Sequence, residues 1–109
     1  MILFSHEITG ENTVKYVARA DEPLGECEFT YGGYEMKMLS IDCDDDIIIE
    51  GLMRASMNYG ANRMMYICTV NPDMLCPALN RLGFTAGNLT VEIPEALTKS
   101  DCKCNNEPE

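Results

Sequence analysis

The chain has 109 residues, enough for one hydrophobic core but too few for two domains. Its 46% hydrophobic and 24% charged residues are typical of a folded globular protein rather than a disordered one. Acidic residues outnumber basic ones 18 to 8, giving a net charge of −10, which argues against nucleic acid or an anionic membrane as a partner.

The first 42 residues have the alternation of apolar and polar side chains that is typical of half-buried strands. The alternation is clearest where Cys27, Phe29 and Tyr31 fall on one side. Turn sequences, including TGEN at 9–12 and the Gly32-Gly33 pair, separate the segments. We predict strands at residues 2–8, 13–20, 25–31 and 34–42, which would form an antiparallel meander.

The period becomes helical at Asp46, where apolar residues begin to recur at three- and four-residue steps. Asp44 to Asp46 supply an N-cap and first-turn charge, and Gly60 and Asn62 supply a stop, with Arg63 near the last carbonyls. The continuous apolar run at 64–70, MMYICTV, then predicts a fully buried strand in parallel pairing.

A second helix is predicted to open at Asn71-Pro72-Asp73 and to close at Gly83, with Pro77 shortening or kinking it. A last strand is expected at 88–93. The order of elements predicts an α+β domain over residues 1–94, with a mixed, largely antiparallel sheet and a β-α-β-α-β second half. Residues 95–109 are expected to form a flexible tail.

Nothing at the N-terminus has the pattern of a signal peptide, and no apolar run is long enough for a membrane span. We therefore expect a cytoplasmic protein. In a reducing compartment its six cysteines are expected to be free thiols.

The stretch from residue 14 to residue 93 resembles the acyl-CoA-binding core of the GNAT superfamily of N-acetyltransferases. Leu82-Gly83-Phe84 matches the stop of that family's second helix, and Asn71 lies where the family often has an Asn after its parallel strand. The resemblance implies an acetyl-CoA site at the turn before the first helix. The residues it implicates are Ile41, Asp42, Cys43, Asp44, Asp45, Asp46 and Asn71.

Two departures separate this chain from the family pattern. The turn that holds the CoA pyrophosphate on backbone N–H groups here reads Cys43-Asp44-Asp45-Asp46. One carboxylate ~4 Å from a phosphate costs on the order of 4 kcal/mol at an effective dielectric of ~20, or ~1 kcal/mol in water. In addition, Leu79 stands where many family members have a proton-donating Tyr.

Three functions follow as expectations. The first is a binding or interaction module with a degenerate acetyl-CoA site, acting as a homodimer or on a basic protein. The second is an N-acetyltransferase that acts on a small-molecule or peptide amine. The third is a metal or thiol-redox role.

The candidate residues for chemistry are few. His6, Glu28 and Glu35 are the candidate acid–base groups, although solvent-facing alternation explains the glutamates equally well. Carboxylates suit Mg²⁺ or Ca²⁺, and thiols suit soft metals or redox chemistry. The candidate ligands are Asp42, Asp44 and Asp46 for the first kind of site, and Cys102 and Cys104 for the second. Ordinary helix capping is the competing explanation for the aspartates.

Overall fold

The computed structural model describes residues 1–98, which form one six-stranded sheet with helices packed on it. The strands are β1 (Leu3–Gly10), β2 (Thr13–Arg19), β3 (Pro23–Gly32), β4 (Glu35–Asp42), β5 (Ile67–Thr69) and β6 (Thr90–Glu92). The helices are α1 (Asp46–Ala61), a 3₁₀ turn (Pro72–Met74) and α2 (Pro77–Leu82).

The strands lie in the sheet in chain order, and each pair of neighbours is antiparallel except β4 and β5. Helix α1 forms the crossover between those two parallel strands, as a parallel connection requires. The predicted fold class is therefore confirmed: α+β, with a mixed and largely antiparallel sheet. The predicted four-strand meander is also confirmed.

The buried strand run predicted at 64–70 is wrong in length. Only Ile67–Thr69 pairs in the sheet, and Met64 is 73% exposed with a positive φ of 72°. The backbone N–H groups of Met64 and Met65 bond back to the carbonyls of Ala61 and Gly60, at 3.1 and 2.8 Å. These residues therefore belong to the turn that follows α1 and not to the sheet.

The predicted second helix is divided in two. A 3₁₀ turn covers Pro72–Met74, and α2 begins at Pro77, so this proline shortens the predicted helix and does not kink it. Proline is favoured at a first helical position because its missing N–H has no intrahelical partner there and its φ is already helical. The stop at Gly83 is confirmed, since this residue adopts the left-handed conformation at φ 111°.

The hydrophobic core lies on one face of the sheet. Side chains of β2, β3, β4 and β5 that share this face are buried under α1 and α2, and the principal ones are Val14, Cys27, Phe29, Met36, Met38 and Cys68. The alternating residues point to the opposite face, which none of the helices among residues 1–98 covers.

The end of the described chain is packed against this core. Residues 93–98 are helical, Ile93 and Ala96 are buried, and the Thr98 hydroxyl donates to the Pro94 carbonyl at 2.8 Å. Residues 95–98 were predicted to belong to the flexible tail, whereas in the structure they are part of the folded domain. No helix in the described part is long and apolar enough to cross a bilayer.

Candidate functional site

The turn between β4 and α1 contains a carboxylate that binds the N-terminus of the helix. Asp45 is the N-cap of α1, and its Oδ1 accepts the backbone N–H groups of Ile47 at 2.9 Å and Ile48 at 3.3 Å. These donors belong to the first turn of the helix, where a bound phosphate would find its hydrogen bonds. In this chain they are already satisfied by a carboxylate.

Asp46 ties the two helices together. Its Oδ1 accepts the N–H of Ala78 in the first turn of α2 at 2.9 Å, and its Oδ2 lies 2.6 Å from Arg81 Nη2. Arg81 also donates from Nε to Glu50 Oε1 at 2.9 Å. The hydrogen bonds that Arg81 donates to Asp46 and then to Glu50 raise the pKa of Arg81 above its ordinary value. The Asp46 carboxylate therefore points towards α2 and away from the N-terminus of α1.

Cys43 packs the turn against β3. Its thiol lies 3.6 Å from the carbonyl oxygens of Leu24 and Asp45. A Cβ placed on Gly25 would come within 2.6 Å of the Cys43 side chain, so only glycine fits there without a shift. Cys43 is a packing residue at this position.

The remaining aspartates of the turn are exposed. Asp42 ends β4 opposite Glu26, and Asp44 precedes the N-cap. Residues 1–98 contain no group of three His, Cys, Asp or Glu side chains that could hold a metal ion, so Asp42, Asp44 and Asp46 do not converge on one. Cys102 and Cys104 lie outside the described residues.

Strand β5 is hydrogen-bonded to only part of β4. The two strands pair only at Glu35–Lys37 and Ile67–Thr69, and a register shift against β3 places an extra residue, Leu39, just beyond that segment of β4. Met38 and Val70, the first residues past the paired segment on each strand, are buried in the core.

The candidate acid–base residues are not brought together. His6 is on the face that carries α1, where its ring lies 5.2 Å from that of Tyr16 and 5.0 Å from that of Tyr59. Glu28 and Glu35 point to the open face, and by strand register they are four positions apart, roughly 13 Å. The Glu28 carboxylate accepts the Thr9 hydroxyl at 2.7 Å.

An aromatic cluster surrounds the C-terminal end of α1. The Tyr59 ring contacts the rings of Tyr31 and Phe29, and the Arg63 guanidinium stacks 3.6 Å above it. Burial, followed by a hydrogen bond with Tyr31, raises the pKa of Tyr59. Arg63, just past the end of α1, also donates to the Tyr59 carbonyl, as predicted for a cation near the last carbonyls.

Two further positions implicated by the resemblance, Asn71 and Leu79, lie in a turn and in the core. Asn71 is the N-cap of the 3₁₀ turn, with its carbonyl accepting from the Met74 N–H at 3.0 Å and without a side-chain capping bond. Leu79, which stands in place of the family's Tyr, is fully buried in the core. No ionisable group is presented at that position.

The partners of Asp46 could not be predicted from the sequence. Arg81 and Ala78 lie 35 and 32 residues further along the chain, and no local pattern marks either as a contact of the turn. Glu50 is one helical turn after Asp46 and is therefore on the same face of α1, which is the only signal in the sequence that pointed to the cluster.

Comparison with solved structures supports the fold. A probable acetyltransferase from Staphylococcus epidermidis ATCC 12228 superposes with a TM-score of 0.51 at 12% identity, covering 54% of this chain and 41% of its own. The ribosomal-protein-S18-alanine N-acetyltransferase from Escherichia coli superposes with a TM-score of 0.59 at 11% identity, covering 78% of this chain and 72% of its own.

Both neighbours are described as acetyltransferases, the first as a probable one, and this chain shares their fold, which is GNAT-like. The chain spans less than half the length of the Staphylococcus protein. No family model matches the sequence. No curated protein matches it either.

Proposed function

We propose that this chain is a binding module built on the GNAT-like fold, in which the acetyl-CoA turn has become a structural junction. The observation that carries this proposal is the position of Asp45, whose carboxylate accepts the N–H groups of Ile47 and Ile48. A pyrophosphate that used the same donors would have to displace this carboxylate or lie beside it.

Electrostatics adds to the competition for donors. A carboxylate within ~4 Å of a phosphate costs about 1 kcal/mol in water and about 4 kcal/mol at an effective dielectric of ~20. Asp44 stands next to Asp45 in the chain, whereas Asp46 is paired with Arg81, and the overall charge of −10 repels a polyanionic cofactor from a distance. No basic side chain is supplied by the turn in compensation.

The other parts of an acetyl-transfer site support the same interpretation. Met38 and Val70 are buried just past the segment where β4 and β5 pair, and Leu79 is buried where a proton donor would stand. His6 and Glu28 are on opposite faces of the sheet, so they cannot act on one substrate. The partner class expected from charge, a basic protein or an amine, stays a prediction.

Titration with acetyl-CoA tests the proposal by thermal shift and calorimetry. A ligand at ten times its Kd stabilises the folded state by about 1.4 kcal/mol, which is a shift of several degrees for a domain of this size. We expect no shift for the wild type at about 1 mM, and a Kd of about 100 µM or tighter would overturn the proposal.

A double variant tests whether the carboxylates of the turn are the groups that exclude acetyl-CoA. Asp44→Asn with Asp45→Asn removes two charges but keeps an oxygen that can cap α1. Binding by the variant alone would identify the carboxylates as the excluding groups. Absence of binding in both proteins would show that these two carboxylates alone do not account for the exclusion.

An N-acetyltransferase is the second candidate, because the parallel β4–β5 pair and both structural neighbours favour it. One neighbour is named for its action on an alanine of ribosomal protein S18, so a peptide amine would be the acceptor to examine first. Mass spectrometry of peptides incubated with acetyl-CoA and the protein should show no added acetyl group if the binding-module proposal holds.

A further inference from the structure

The two edges of the sheet differ in length and exposure. β6 has three residues, whereas β1 has eight, all of them exposed. Nothing in residues 1–98 pairs with the outer side of β1. An exposed edge of this length presents a row of unpaired N–H and C=O groups, which is a template for another strand.

β1 also lacks the features that usually protect an edge. Its sequence, LFSHEITG, contains no Lys, Arg or Pro, and Glu7 is its single carboxylate. The irregularity in its pairing lies between Ile8 and Gly10, at the far end of the strand. Leu3 and Ile8 are each 62% exposed, and they point to opposite faces of the sheet.

The apolar surface continues from the edge onto α1. Ile2, Phe4 and Ile47 contribute to the lining of an open groove of about 360 Å³ between β1 and the first half of α1. Ile47 is 77% exposed although it sits in the first turn of a helix whose other isoleucines are buried. Neighbouring exposed apolar side chains of this kind mark an interaction surface.

We propose that a second copy of this chain pairs with β1, strand against strand and antiparallel, about a two-fold axis that passes near His6. A two-fold interface uses the same patch on both copies, so the patch must complement itself. With the axis perpendicular to the sheet, two six-stranded sheets become continuous and the helices of both copies remain on the same face.

This arrangement permits only registers in which opposing residues point to the same face. When His6 is opposite its own copy, Phe4 is opposite Ile8, and Ser5 is opposite Glu7. Ile8 of the second copy then reaches the groove beside Phe4 and Ile47. Each of these pairs occurs twice because of the symmetry.

The neighbouring registers are less favourable. A shift of two positions in one direction places Glu7 opposite its own copy, and like charges directly opposite one another are destabilising. A shift in the other direction places the apolar Leu3 opposite Glu7 and leaves Phe4 without an apolar partner opposite. The register centred on His6 avoids both costs, so we assign it to the dimer.

Sedimentation velocity and light scattering of the full chain test the dimer. We expect a mass of twice 12.2 kDa at micromolar concentrations and physiological salt. Ile8→Lys puts a charge opposite Phe4 twice and should weaken the dimer by about tenfold or more. Met64→Lys introduces the same charge at an exposed apolar position away from β1 and should leave the dimer unchanged.

Ser5→Lys tests the register. It sets a lysine opposite Glu7 twice and should tighten the dimer by about threefold or more, a gain that misfolding cannot imitate. A monomer at all concentrations up to about 200 µM, or equal effects of the Ile8 and Met64 variants, would overturn the dimer. Weakening by Ser5→Lys would overturn the register. None of these results depends on whether acetyl-CoA binds.

Discussion

The contact between Asp46 and α2 gives a sharp stability prediction. Asp46→Ala removes the acceptor of the Ala78 N–H, and Ala78 is fully buried. A buried donor left without a partner costs about 1–3 kcal/mol, and we expect the variant to lose about 2 kcal/mol of the free energy of unfolding. In a domain of this size that loss lowers the Tm by about 8 °C.

Asp46→Asn separates the two roles of the side chain. The amide oxygen can still accept the Ala78 N–H, while the charge opposite Arg81 is lost. We expect it to lose less than half as much stability as the alanine variant. Because the Arg81 contact is about one-third exposed to solvent, added salt should narrow the gap between wild type and Asp46→Asn.

Urea denaturation followed by circular dichroism provides the measurement, with Asp44→Ala as the control. Asp44 is exposed and has no hydrogen bond or ion pair within the described residues, so its change should stay within about 0.5 kcal/mol. An Asp46→Ala variant as stable as this control would refute the stabilising role of the contact between Asp46 and α2. Equal losses for the Ala and Asn variants would refute the assignment of the loss to Ala78.

The remaining predictions concern packing and the buried thiols. Gly25→Ala should destabilise the protein by about 1–3 kcal/mol in urea, since its Cβ would meet Cys43 at 2.6 Å. Gly87→Ala, where nothing lies within 4 Å, should change little; equal losses would contradict this account.

Burial raises the pKa of Cys27 from 9.0 to about 11 and that of Cys68 to about 12. The folded state then holds these protons more tightly than the unfolded state, so stability should fall as pH rises from about 9 to about 11. Denaturation of a Cys27→Ala/Cys68→Ala variant should show a shallower fall, and an unchanged slope would be evidence against this cause.

The strands and the first helix could be predicted from residue patterns because their signals are local. Phe29 alternates with Glu28 and Thr30, and the apolar stripe of α1 repeats at helical steps, so burial follows directly from period. The cap at Asp45 and the stop at Gly83 were predicted for the same reason. The GNAT-like order of elements followed from these signals.

Contacts between distant parts of the chain decided the rest. A run such as MMYICTV has the composition of a strand, yet only three of its residues form β5, and the first two hydrogen-bond back to α1. The same applies to Asp46, whose charge suggested capping, although its two oxygens serve α2. Composition and period cannot encode which partner lies 30 residues away.

The sequence by itself therefore determined the fold class and showed that the turn before α1 is acidic, because both are properties of neighbouring residues. Only the tertiary structure decided which donors the carboxylates of this turn bind. Asp45 satisfies the N–H groups of its own helix, and Asp46 reaches across to Ala78 and Arg81. That difference arises because a carboxylate binds whichever donors the folded chain brings within hydrogen-bonding distance.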